Sequence, residues 1–199
     1  MLYSPFKRLK STHSRLTSVF LTSISLFLLA TIPLLITPDS LFPAIAQTTD
    51  ARQAEGDRLM RQGIQQHQTG QFPAALNSWQ QALQIYRALK NRLGEGVVLG
   101  TLGRVYYSLG DYAKAIDYVQ QYLAIAREIK SRQGEGRALG TLGRVYNSLG
   151  NYAKAIEYSQ QYLAIAREIK NRREEGAALS TLGIAYNSLG NYAKAIEYT

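Results

Sequence analysis

The chain has 199 residues, a formal charge of +9 and no cysteine. The missing thiols exclude disulfides, thiol catalysis, lipobox acylation and thiolate zinc sites. The length allows one or two domains, and the charge makes nucleic acid the first partner to test.

The basic character starts at the amino terminus. Lys7, Arg8, Lys10 and Arg15 precede an apolar run from Leu16 to Ile36, and the first acidic residue is Asp39. Pro38, Pro43 and then Ala44-Ile45-Ala46 follow. A basic start, an apolar middle and a small-x-small end predict a secretory signal peptide over residues 1–46, cut between Ala46 and Gln47. The alternative is an uncleaved anchor, since the run approaches the ~20 residues that span a bilayer. Its Ser and Thr content and Pro33 weaken that alternative. A transit peptide would also be Ser-rich and poor in acid, but the unbroken apolar core argues against it. Cleaved or anchored, the positive start stays inside and the remainder crosses the membrane. The expected location is therefore periplasmic or extracellular, with membrane contact only through the leader. Removing residues 1–46 takes away four basic residues and one acidic residue, leaving about +6. That remainder is spread over helix ends, not gathered into the basic stripe that nucleic acid requires. Nucleic acid is not an expected partner.

Residues 47–53 are polar and read as a flexible tail. From about 54 to 199 the chain repeats itself every forty residues, in copies near 54–93, 94–133, 134–173 and 174–199, the last incomplete. The first copy opens on a polar helix with Asp57, Arg58, Arg61, Gln62 and Gln65, as a terminal cap of a repeat array requires. Phe72-Pro73 opens its second helix, with proline where a missing amide costs little. Trp79, Leu83 and Tyr86 supply core.

The second copy shows the unit most clearly. Leu99, Leu102, Val105, Tyr106 and Leu109 recur at three- and four-residue spacing and predict one amphipathic helix. Gly110 ends it in the left-handed conformation, and Asp111 caps the next helix. Asn151 and Asn191 take that place later. Tyr112, Ala115, Ile116, Val119, Leu123, Ala126 and Ile129 form the inner side of the second helix. Arg127, Lys130 and Arg132 suit the negative end of its dipole. So short a link forces the two helices antiparallel. Gly103, Gly143 and Gly183 lie mid-helix, at a cost of roughly 1 kcal/mol relative to alanine. Close packing against Ala115, Ala155 and Ala195 would account for them.

Leu102-Gly103, Tyr106, Gly110, Tyr112 and Ala115, returning at each forty-residue step, resemble the tetratricopeptide repeat. The forty-residue form is similar to the arrays of kinesin light chains and of Pins-like G-protein-signalling modulators. Two positions depart from the pattern. Tyr122 and Tyr162 replace its late small residue, and Arg87, Arg127 and Arg167 replace its closing proline. The resemblance implies an all-α, right-handed superhelix: an α-solenoid of antiparallel helix pairs whose last repeat is truncated. It also implies a scaffold that binds peptide segments in a concave groove lined by the first helices.

Competing chemistry finds little support. Gly94-x-Gly96 with Gly100 and Gly103 lacks the strand a dinucleotide loop needs. His67 is the one histidine after the leader and has no partner set for a triad or a metal. Asp111, Asp117, Glu128 and Glu135 fall at caps or outer positions. No enzyme, cofactor or metal is expected. The alternative is that the repeats precede a catalytic domain, for example a caspase-like one, lying beyond residue 199. A third reading is self-association through the incomplete last repeat.

In the family the groove positions lie one and four residues after the mid-helix glycine. Here they are Arg104 and Tyr107, Arg144 and Asn147, and Ile184 and Asn187, with Arg137 nearby. Arg holds carboxylates bidentately and Asn pairs with peptide backbone. The expected partner is a protein or peptide, either acidic or ending in a free carboxylate.

Overall fold

A computed structural model describes residues 38–198. Most of the expected signal peptide, residues 1–37, lies outside the described residues. The described chain forms eight helices: α1 (Pro38–Gln68), α2 (Phe72–Ala88), α3 (Arg92–Ser108), α4 (Tyr112–Glu128), α5 (Arg132–Ser148), α6 (Tyr152–Glu168), α7 (Arg172–Ser188) and α8 (Tyr192–Glu197). Each packs against the next, so consecutive antiparallel pairs stack into an α-solenoid.

The helices from α2 to α7 all have 17 residues. The links between them obey one rule. At the end of α3, the Gly110 amide donates to the Tyr107 carbonyl and the Asp111 amide to the Tyr106 carbonyl, both at 3.0 Å. Two otherwise free carbonyls are thereby satisfied, with the residue between cap and exit in the left-handed region. Gly110 has φ 78°. Asp111 then turns its carboxylate to the Lys114 amide at 3.1 Å, closing one helix and opening the next. Ser131 does the same for α5, accepting from the Gly134 amide at 3.1 Å. Asn91, Asn151, Asn171 and Asn191 cap α3, α6, α7 and α8 in the same way. The sequence reading finds the caps after glycine and misses Asn91, Ser131 and Asn171. Those follow Lys90, Lys130 and Lys170, which adopt φ of 54–55° without being glycine. The chain thus turns every twenty residues, with glycine and lysine alternating at the turn.

Several boundaries differ from the sequence reading. Residues 47–53, expected as a polar tail, lie within α1, as does the Ala46–Gln47 bond. Leu109 and Ile129 are exposed, because each caps a helix instead of facing inward. Ile125, missed from the stripe, is buried. The core forms two adjoining clusters, one from Leu59 to Val145 and one from Val119 to Ala195, with Ile116 and Tyr122 packed against both.

The mid-helix glycines do mark close approach, but to a different partner. A Cβ on Gly103 would sit 2.3 Å from Val119 Cγ2, and one on Gly143 2.5 Å from Ser159 Oγ. The Ala115 and Ala155 carbonyls lie further off, at 3.5 Å. A side chain at Gly143 must displace packed atoms, an overpacking that costs typically ~1–3 kcal/mol.

Polar contacts tie three helices at a time. Glu95 holds Arg87 of α2 at 2.9 Å and Arg92 of its own helix, and Arg92 continues to Glu128 of α4. Glu135 repeats this with Arg127 and Arg132, and Arg132 continues to Glu168. Glu175 holds Arg167 and Arg172. The arginine hydrogen bonds lower the Glu128, Glu168 and Glu175 carboxyls below the ordinary glutamate value. At Glu135 burial opposes this, but the bonds from Arg127 and Arg132 outweigh it.

Candidate functional site

The odd-numbered helices form the inner layer. Besides its sequence neighbours, α3 touches α5 and α5 touches α7, an approach the even helices do not match among the described residues. An open groove of about 810 Å3 runs along this layer from α3 to α7, floored by Gly140 and Tyr162. A Cβ on Gly140 would lie 2.7 Å from the Tyr162 ring, so the bare backbone at Gly140 lets the ring seat.

Six of the seven expected groove residues line this groove: Arg104, Tyr107, Arg137, Arg144, Asn147 and Ile184. Arg144 lies over the Tyr107 ring, 5.8 Å from its centroid. This cation–π contact holds the guanidinium while leaving its donors for other partners. The Tyr107 hydroxyl is 3.3 Å from Ser148 Oγ, a second link between α3 and α5. Asn147 is half-buried, and its Oδ1 is shut from solvent with no hydrogen-bond partner.

Arg137 departs from expectation. Its Nε donates to Glu174 Oε1 at 3.2 Å, a partner the sequence did not suggest, while the side chain stays 59% exposed. Asn187 lies outside this groove. It lines a second, more apolar one with Leu179, Ile184, Tyr192, Ile196 and Tyr198. Ile184 borders both grooves.

Sequence reasoning missed Arg173, Glu174, Thr141 and Tyr162, which also line the first groove. One signal was available for Glu174. It stands where the preceding copies have Gly94 and Gly134, a break in an otherwise regular position. The groove therefore carries four guanidiniums around one carboxylate that is only 9% exposed. Burial pushes the Tyr162 phenol up, and Glu174 adds to that shift. Burial likewise raises the neighbouring Tyr122. Both phenols stay neutral near pH 7, so each can donate a hydrogen bond. Among the described residues, no group of three or more His, Cys, Asp or Glu side chains is placed to hold a metal ion. None of the described helices is long and apolar enough to cross a membrane.

The sequence profile of the tetratricopeptide repeat family matches residues 59–128 and 134–198. No curated protein sequence matches the chain. Aspartyl phosphate phosphatase F from Bacillus subtilis is similar in structure, with a TM-score of 0.69 and 19% identity over 80% of this chain and 42% of its own. A Rap protein complexed with competence and sporulation factor has a TM-score of 0.64 and 19% identity, over 72% of this chain and 41% of its own. Kinesin-light-chain-type repeats from Podospora anserina have a TM-score of 0.61 and 21% identity, over 71% of this chain and 70% of their own. The chain spans less than half of the first two structures. These likenesses concern the fold.

Proposed function

Because the chain belongs to the tetratricopeptide repeat family, we propose that it is an exported scaffold that captures peptide segments of partner proteins in the α3–α7 groove. The observation that carries this reading is the convergence of Arg104, Tyr107, Arg144 and Asn147 on one open groove. None of the four is fully buried, although Tyr107 packs in part against the core. Arg104 and Arg144 are exposed, and Asn147 keeps an unused acceptor. Guanidiniums there attract carboxylates, and the asparagine supplies acceptor and donor for a peptide backbone. Export rests on the basic start, the apolar run and Ala44-Ile45-Ala46. Cleavage after Ala46 would act on the chain before α1 forms.

The test is the double variant Arg144→Ala with Asn147→Ala in the full chain, against a partner captured by pull-down. Charge-assisted contacts contribute about 1.5–3 kcal/mol each, so affinity should fall at least about tenfold while the melting curve stays in place. Unchanged affinity would remove the groove from the reading. N-terminal sequencing of secreted protein should begin at Gln47; an intact Met1 in the cytosol would overturn export.

A further inference from the structure

We propose that Glu174 makes the groove selective for mixed-charge peptides: segments that carry a lysine or arginine beside their acidic residues. This rests on the groove being the binding site, and it adds what the bound segment must contain.

The argument starts from a buried carboxylate with spare capacity. A carboxylate taken out of water is costly unless its oxygens find donors. Glu174 uses one oxygen, Oε1, on Arg137. Its Oε2 is shut from solvent and has no hydrogen-bond partner. Glu174 lies in the first turn of α7. A carboxylate required only to hold Arg137 would not need to line a groove. At the equivalent place the preceding copies carry Gly94 and Gly134, packed against Tyr86 and Tyr122. The array therefore closes at this level without any acid.

A second acceptor in the same groove, Asn147 Oδ1, is also without a partner. Two unused acceptors, each covered in the unliganded groove, call for N–H donors on the ligand once a rotation of the Glu174 or Asn147 side chain uncovers them. The surrounding Arg104, Arg144 and Arg173 call for carboxylates. A purely acidic segment satisfies the arginines and meets repulsion at Glu174. An ammonium or guanidinium placed among acidic residues satisfies both.

The experiment uses the full chain and two capped synthetic peptides of equal length, one alternating glutamate with lysine, the other glutamate with glutamine. Affinities are measured by fluorescence anisotropy at physiological salt. The lysine-bearing peptide should bind about tenfold tighter, the scale of one charge-assisted hydrogen bond. Glu174→Gln keeps the shape and removes the charge, and should abolish that preference. Glu174→Gly, the residue of the other copies, should do the same and serves if the first variant melts early. Equal affinities for both peptides in the unaltered protein would overturn the selectivity and leave the groove standing. So would a preference that survives both substitutions. Failure of both peptides to bind would overturn the groove reading and this inference together.

Discussion

At the scale of single residues, the turns of this solenoid place two unlike side chains in one conformation. Gly70, Gly110, Gly150 and Gly190 have φ of 73–80°, and Lys90, Lys130 and Lys170 have φ of 54–55°. A residue with a Cβ costs roughly 1–2 kcal/mol there. Lys130→Gly removes that cost but restores about 0.4–1 kcal/mol of unfolded-chain entropy. The expected net effect is stabilisation of up to about 1.6 kcal/mol, read from urea melts; a loss of stability would show that the Lys130 side chain contributes contacts outweighing its strain. The glycine turns were legible in the sequence because glycine prefers that conformation. The lysine turns were not, because lysine carries no such preference. They show only through the caps that follow, Asn91, Ser131 and Asn171.

At the scale of elements, the arginine–glutamate chains couple α3 and α5 to the even helices on either side, and α7 to α6. Glu128, Glu135, Glu168 and Glu175 all bind a proton less readily in the folded chain than their ordinary value. Their contribution is present above the ordinary glutamate pKa of about 4.3 and is withdrawn as pH falls through their depressed folded values. Thermal melts from neutral pH down to about pH 3 should therefore show stability falling below that value. The fall should be shallower in Glu135→Gln, which starts lower at neutral pH. An identical pH slope in the variant would detach Glu135 from this effect. The helices themselves were legible, since apolar spacing and the post-glycine caps fix them. The pairing of Arg137 was not, because Glu174 lies 37 residues away, in the copy that breaks the pattern. Groove membership carried over from the repeat offsets for five residues. It failed for Asn187, which faces a different groove.

At the scale of the molecule, stability comes from neighbour-to-neighbour interfaces, as expected of a repeat array. Parity is then the controlling variable, because odd and even helices have different faces. Deleting residues 94–133 joins Leu93 to Gly134, so Tyr86 meets Gly134 as it met Gly94, and Arg87 can reach Glu135 as it reached Glu95. Deleting residues 92–111 leaves Asn91 before Tyr112, a sound cap in front of α4. It brings α4 against α2, however, with no odd helix between them. The first deletion should melt cooperatively and the second should not, by circular dichroism. Two equally cooperative melts would mean that helix parity does not govern the array.

The same spacing bears on inheritance. Residues 94–130 and 134–170 are nearly the same text, so a gene carrying them is prone to unequal exchange between the two segments. Such an event adds or removes forty residues, which is the step the turns accept without loss of phase. A lengthened descendant would gain another arginine-bearing stretch of inner surface. It would not gain a second Glu174, since that residue lies outside the duplicated text. Growth would then extend the charged surface while leaving a single place that reads it.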